Sequence, residues 1–372
     1  MKSLPLALLL ALSWPGAAQD DNCRQRLDAP RPSQADYACL RAAYTRPPAQ
    51  WPTPTVDADV AWQELGPLPE RAPSPPDNPF SEAKAALGEK LFFDPRLSRS
   101  GQIACASCHE PDLAFADGRR VSFGHDRAAG RRNAPSIVTS GLIGPLFWDG
   151  RAPTLEAQAL MPVIDPLEMA FSIDELMTRL RGLPEYPPLF AAAFPHTPLD
   201  AGQIAAALAS YQRTLVSKAR NTPFERFLRG RHEQLSDQQL HGLHLYRTQA
   251  RCLNCHFGPA LSDGQFHNAG MTYYGRKYQD LGRYEVTGRA EDVGRFRTPS
   301  LRLVGRSGPW IHNGLFPDLM GVLNFYNVGM PRPKPGPLLA DDALFPKTDD
   351  RFQPLGLERD ELLALRAFLD SL

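Results

Sequence analysis

Cys105-Ala106-Ser107-Cys108-His109 recurs, 147 residues on, as Cys252-Leu253-Asn254-Cys255-His256. Two thiols at i and i+3 with an imidazole directly after them form the spacing that attaches c-type haem. Each thiol bonds one vinyl group of a porphyrin, and the histidine lies beneath the iron as its proximal ligand. A Cys-x-x-Cys alone would also fit half a zinc site or a redox dithiol. The adjoining His, present twice, selects haem. His109 and His256 are the expected proximal ligands, and Cys105, Cys108, Cys252 and Cys255 the covalent anchors of two haem c groups.

Outward from each copy the pattern is helical. Ser81 is a plausible N-cap, and Ala83, Leu87 and Leu91 then recur on one face ahead of the first motif. Ser236-Asp237-Gln238-Gln239 is a capping box, and Leu240, Leu243 and Tyr246 lead toward the second motif. A long loop follows from about Asp112 to Trp148. Ser172-Ile173-Asp174-Glu175 is a capping box, and Asp200 caps a helix bearing Ile204, Leu208, Tyr211 and Leu215. The chain closes on a helix from about Glu358 to Leu372 with Leu362, Leu365 and Leu369 on one face. Capped helix, haem motif, long loop and later helices occur twice, the outline of an internal repeat. No alternating run makes a convincing sheet. The fold class read from this pattern is mainly α, with two cytochrome c-like domains spanning 81–235 and 236–372, each holding one covalently bound haem.

The bulk composition is consistent with that reading. Apolar residues make up 42% of the chain, and Lys plus Arg balances Asp plus Glu at 41 each. A neutral total gives no support for nucleic acid as a partner, so docking of any redox partner must rely on local patches. Lys2, the apolar run Leu4 to Leu12 and Gly16-Ala17-Ala18 read as a secretory signal over 1–18, which places the mature chain in the periplasm. No segment is long enough to span a bilayer. Residues 19–80 form a Pro-rich extension, with an extended linker from Pro67 to Pro79. Cys23 and Cys39 are expected to pair in an oxidising compartment; free thiols or an interchain link are the alternatives.

Between and after the haem motifs lie Gly124-His125, Arg132-Asn133-Ala134-Pro135, Phe147-Trp148-Asp149-Gly150-Arg151, Gln158 and Pro166-Leu167-Glu168-Met169. With Leu91-Phe92-Phe93-Asp94-Pro95-Arg96 and Phe296-Arg297-Thr298-Pro299-Ser300, these make residues 81–372 closely resemble the bacterial di-haem cytochrome c peroxidases and the related MauG enzymes. The resemblance implies that His125 is a displaceable distal ligand of the first haem. It implies that Glu168 is the distal acid/base, Gln158 a distal amide that holds peroxide, and Trp148 an electron relay between the haems. It further implies a calcium ion at Asn133 with backbone from Ser307 and Pro309, and a homodimer. Tyr326 falls where the peroxidases carry a Met ligand to the second iron and MauG a Tyr. On its own helix, capped by Asp318, Tyr326 shares a face with Leu319, Val322 and Leu323. Met330 is its rival as ligand, and Met271 a weaker one. His267 and His312 are expected to hydrogen-bond near the second haem and the interface, and Arg295 and Arg297 to face haem propionates.

The chain is peroxidase-like at His125 and MauG-like at Tyr326. The first expectation is a periplasmic peroxidase that reduces hydrogen peroxide with electrons from a small cytochrome c or cupredoxin. The alternative is a MauG-like enzyme oxidising Trp or Tyr of a protein substrate. A third is a non-enzymatic two-haem electron carrier, against which Glu168 and Gln158 argue.

Overall fold

The apolar helical faces close into two cores in the computed structural model, which describes Cys23, Leu27 and residues 36–372; the expected signal segment lies outside the described residues. The helices are α1 Tyr37–Tyr44, α2 Glu82–Phe93, α3 Leu155–Ala159, α4 Met161–Ile164, α5 Ile173–Gly182 and α6 Tyr186–Ala193. They continue as α7 Ala201–Thr214, α8 Pro223–Leu228, α9 Asp237–Arg247, α10 Tyr284–Thr287, α11 Leu319–Asn327 and α12 Arg359–Leu369. The expected caps operate: Ser81, Asp200 and Asp318 each accept a backbone N–H of the first turn, and Ser172 and Ser236 form full capping boxes. Among the described residues the only sheet is one antiparallel pair, β1 Phe266–His267 with β2 Phe296–Arg297, in register Phe266 to Arg297 and His267 to Phe296. No described helix is long and apolar enough to cross a membrane.

One core gathers Leu87, Leu91, Ile204 and Leu208; the other gathers Leu240, Leu243, Leu365 and Phe368. Each buried leucine contributes roughly 1.5–3 kcal/mol. In the first core α2 crosses α7, and in the second α9 crosses α12. Both crossings pass at a glycine. A Cβ on Gly88 would lie 1.9 Å from the Ala207 carbonyl oxygen, and one on Gly242 2.0 Å from that of Ala364. Gly242→Ala therefore sets two effects against each other. Helix propensity favours Ala by about 1 kcal/mol, whereas overpacking costs about 1–3 kcal/mol. Because the obstacle is backbone, the clash should win, and denaturant titration of Gly242→Ala should show net destabilisation.

Cys23 and Cys39 form a disulfide with Cα atoms 5.2 Å apart. The stretch expected to be a linker is extended but pinned. Arginines reach carbonyl oxygens of the stretch and of the extension ahead of it in turn: Arg247 to Pro52 at 2.7 Å, Arg302 to Gly66 at 2.8 Å, Arg229 to Leu68 at 2.8 Å and Arg213 to Pro73 at 3.0 Å. Proline removes donors but keeps acceptors, so a Pro-rich strap is held largely through its C=O groups, with the Leu68 and Ala72 N–H groups donating to Glu225 and to Arg213 O.

The two halves correspond residue by residue at the seam. Gly144-Pro145-Leu146-Phe147-Trp148-Asp149-Gly150 matches Gly308-Pro309-Trp310-Ile311-His312-Asn313-Gly314. Leu146 bridges Ala152 as Trp310 bridges Phe316. The matched segments bond reciprocally across the seam: Asn133 N–H donates to His312 O at 2.8 Å, and Arg297 N–H donates to Trp148 O at 2.7 Å. A Cβ on Gly150, at φ +72, would strike Phe266 and Arg283 of the second half, and one on Gly314, at φ +61, the Arg120 backbone of the first. Trp148 and His312 are thus equivalent positions of a pseudo-two-fold pair, with ring centroids 6.3 Å apart and nearly perpendicular.

Candidate di-haem active site

A single cavity of about 740 Å³ is lined by both thiol pairs, by His109 and His256, and by Trp148, Gln158, Glu168 and Tyr326. Each motif folds as a single 3-10 turn, which sets the two thiols three residues apart on one side. The proximal histidines are held alike. His109 Nδ1 lies 3.0 Å from Phe115 O, and His256 Nδ1 3.0 Å from Leu261 O. Both carbonyls come from residues with left-handed backbone, φ +58 and +52. With Nδ1 donating, Nε2 is left as the free acceptor, the tautomer that an iron-binding histidine needs. Burial lowers the pKa of both imidazoles, so both are neutral and ready to coordinate. Arg297 also lines the cavity. It is buried, and among the described residues its side chain bonds only to the Phe147 and Thr298 carbonyl oxygens and has no carboxylate in ion-pair contact. Burial pulls it down to about 10. A buried cation facing a cavity fits a ligand carboxylate such as a haem propionate. Arg295 instead pairs with Asp292 at 3.7 Å and does not line the cavity.

In the first half, α3 supplies Gln158, and the turn after α4 supplies Glu168. Burial pushes Glu168 up to about 7, helped by the Asp165 carboxylate and opposed by Arg151. That is the poise of a group that can both take and return a proton near neutral pH. The His125 backbone N–H donates to Glu168 O at 2.7 Å, which ties the loop to the carboxylate's own backbone. The His125 ring does not line the cavity. It faces Asp126, with Nε2 to Oδ2 at 3.5 Å, and its Nδ1 is buried without a partner. The expected distal ligand is therefore turned out in this structure, and its loop carries Asp126 and Arg127 at φ +51 and +61.

In the second half Tyr326 lines the cavity from α11, and Met330 does not. Burial holds the Tyr326 phenol well above its usual pKa, and its hydroxyl makes no hydrogen bond among the described residues. Met271 reaches the cavity wall. His267 is clamped between Asp263 and Asp349 at 2.9 Å each. Burial alone would lower it, but the two carboxylates win and push it up to about 11. Among the described residues Cys255, Asp263 and His267 form the one cluster compact enough to hold a metal ion; Cys255 belongs to the haem motif, so the cluster is absorbed by the second haem site.

Between the two sites Trp148 Nε1 donates to Asn133 O at 2.9 Å. His312 stacks on Phe296 at 3.5 Å, and burial pulls it down to about 3, so it is neutral. Its Nε2 has no hydrogen-bond partner, contrary to the hydrogen-bonding role expected from sequence; the ring packs instead. Arg132 joins the halves, bonding Asp280 at 2.7 Å and also Asp149. Sequence reasoning missed this pairing and the Trp148–His312 equivalence. The shared Gly-Pro-x-x-x-x-Gly frame was the signal that could have found the latter. Asn133, Ser307 and Pro309, the residues implied for calcium, all line the cavity, with the Asn133 amide donating to Arg119 O at 2.9 Å.

A helical chain with two such sites opening on one cavity fits a di-haem c-type cytochrome of the oxidoreductase class. The family model for di-haem cytochrome c peroxidase matches residues 82–233. The chain is 36% identical over 341 residues to cytochrome-c peroxidase IdrP1 of Denitromonas iodatirespirans, covering 84% of this chain and 87% of that protein. It is 39% identical over 284 residues to the methylamine utilization protein MauG of Methylorubrum extorquens, covering 74% and 79%. Among solved structures, a MauG-like protein associated with microbial copper homeostasis matches with TM-score 0.72 at 33% identity, over 85% of this chain and 95% of that one. The chain belongs to the di-haem cytochrome c peroxidase and MauG family.

Proposed function

We propose that this chain is a periplasmic peroxidase that reduces hydrogen peroxide to water at the His109 site, with electrons entering through the His256 site from a small cytochrome c or cupredoxin. The observation that carries the reading is Glu168, poised at about 7 in the same cavity as Gln158 and His109. A c-type haem bound at each site supplies the redox-active iron. Hydrogen peroxide takes up two electrons and two protons and leaves as two waters. Glu168 removes a proton from one peroxide oxygen and delivers it to the other, which departs as water. Gln158 orients the peroxide through its amide. Trp148, packed between the sites with its N–H fixed on Asn133, is the residue through which electrons pass. His125 rides a loop bonded to Glu168, so a loop shift that brings the imidazole inward also perturbs the acid/base. Asn133, Ser307 and Pro309 would hold a calcium ion, and a homodimer is the proposed assembly.

The second reading, a MauG-like oxidase acting on Trp or Tyr of a protein substrate, rests on Tyr326. Met330 lies outside the cavity, and the buried Tyr326 phenol, with Met271 as its rival on the cavity wall, is the proposed distal group of the second site. Such a phenol gives up its proton only to a strongly bound cation, and the resulting anion favours the more oxidised states of that cation.

Donor oxidation separates the readings. Rapid peroxide-dependent oxidation of a reduced cytochrome c or cupredoxin, after one-electron reduction of the enzyme, is the expected result. Sluggish donor turnover, with a long-lived oxidised form appearing without any pre-reduction, favours the oxidase. No reaction with peroxide in any state would leave the electron carrier.

A further inference from the structure

The chain is neutral overall, yet cations without carboxylate partners gather at one place on the seam. Arg119 and Arg120 come from the loop after the first haem motif, and Arg276 and Lys277 from the loop after β1. All four are exposed, and none forms an ion pair among the described residues. Two exposed aromatics sit among them: Phe123, 51% exposed, under the Arg119 guanidinium at 5.9 Å, and Tyr278, 42% exposed, between Arg120 at 5.4 Å and Lys277 at 5.1 Å. Tyr278 is held out by a left-handed backbone, φ +72, a conformation that is strained for a bulky residue and persists where its surroundings impose it. The nearby acids are engaged elsewhere. Asp117 is buried on Ser122, and Asp280 is buried on Arg132.

The patch connects inward. Arg120 Nη1 reaches Asn313 O at 3.5 Å, Asn313 follows His312, and the His312 ring lies 6.3 Å from Trp148. The patch therefore borders the seam at which the two sites meet.

We propose that this basic, aromatic-centred patch is the docking face for a small acidic redox protein, the electron donor. The assignment rests on the peroxidase reading for the partner's role, but the binding itself can be tested without turnover. Unpaired exposed cations steer an acidic partner and set its on-rate, and exposed aromatics provide the contact at the centre. The occupant is acidic because the patch offers four exposed cations without an ion-pair partner among the described residues.

The test uses the full-length holoprotein and the triple variant Arg119→Glu, Arg276→Glu, Lys277→Glu. Arg120 is left in place because it bonds the backbone at Asn313. Binding of an acidic cupredoxin and of a basic cytochrome c is measured by calorimetry at low and high salt, beside peroxide turnover with a small uncharged reductant. The acidic donor should bind the wild type more tightly than the basic one. It should lose affinity about tenfold or more in the variant at low salt, with the loss shrinking as salt is added. Turnover with the small reductant should be unchanged. Absence of that turnover in the wild type would defeat the peroxidase reading and leave the binding result standing. The proposal is overturned if the acidic donor binds no more tightly than the basic one, or binds the variant as well as the wild type. Two other results also overturn it: a short DNA duplex losing affinity in parallel with the donor, or a dimer becoming a monomer in the variant, which assigns the patch to a second copy.

Discussion

Glu168→Gln should lower the second-order rate constant for peroxide by about a hundredfold to ten-thousandfold. The replacement keeps size and hydrogen-bonding reach but removes the proton acceptor, so haem content and the donor-binding properties should not move. The pH profile provides the internal control. The wild-type carboxyl is pushed up to about 7, chiefly by burial. The base form accumulates only above that value, so the rate constant should rise with pH through about 7 and level off beyond it. In Glu168→Gln the profile should be flat across the same window. A variant that keeps wild-type rates, or keeps the inflection, would remove Glu168 from the acid/base role.

Glu225→Ala should cost about 3–5 kcal/mol of stability. Glu225 and Arg302 have fully buried side chains and lie 2.8 Å apart. The knot they form ties three parts of the chain. The Glu225 carboxylate accepts the Leu68 N–H of the strap at 3.0 Å and the Arg229 guanidinium at 3.0 Å, while Arg302 holds Pro259 O and Gly66 O. Burial already pulls Arg302 down to about 10, yet it stays charged at neutral pH. Removing its carboxylate leaves a buried, uncompensated cation. The paired replacement Glu225→Leu with Arg302→Met should recover much of the loss, because an apolar pair of similar volume is often as stable as a buried ion pair. Chemical denaturation of the holoproteins checks both. A single-variant loss below about 1 kcal/mol would put the pair in the class of solvent-exposed ion pairs.

Local signals made most of the scaffold legible. Helix starts are encoded within four residues by Ser, Thr or Asp caps, and the apolar spacing that follows marks the buried face, as at Ile204, Leu208, Tyr211 and Leu215. The haem motifs are equally local. The site was legible where chemistry and position coincide in one short segment, as with Glu168 beside Leu167 and Met169. Long-range backbone pairing was not. The stretch from Pro67 to Pro79 reads as a linker because prolines advertise lost donors, whereas what fixes it is its bonding to residues as much as 161 positions away, Arg229 on Leu68 O among them. Glu225 looks like an ordinary helical carboxylate on α8, and nothing in its neighbours announces Arg302. His125 shows the remaining gap. A residue type can identify a ligand, but whether its loop holds it in or out depends on which backbone group the loop bonds, here Glu168 O.

We propose that the two sites are unequal: His125 would be the displaceable ligand at the His109 site, and Tyr326 the ligand at the His256 site. Electron paramagnetic resonance of the oxidised holoprotein, wild type beside Tyr326→Phe, tests it most directly. Two distinct ferric signals are expected, one from the His109 site and one from a site with phenolate ligation. The substitution should change only the second. Two matching signals in the wild type, or a Tyr326→Phe spectrum in which the second signal is unmoved, would contradict it.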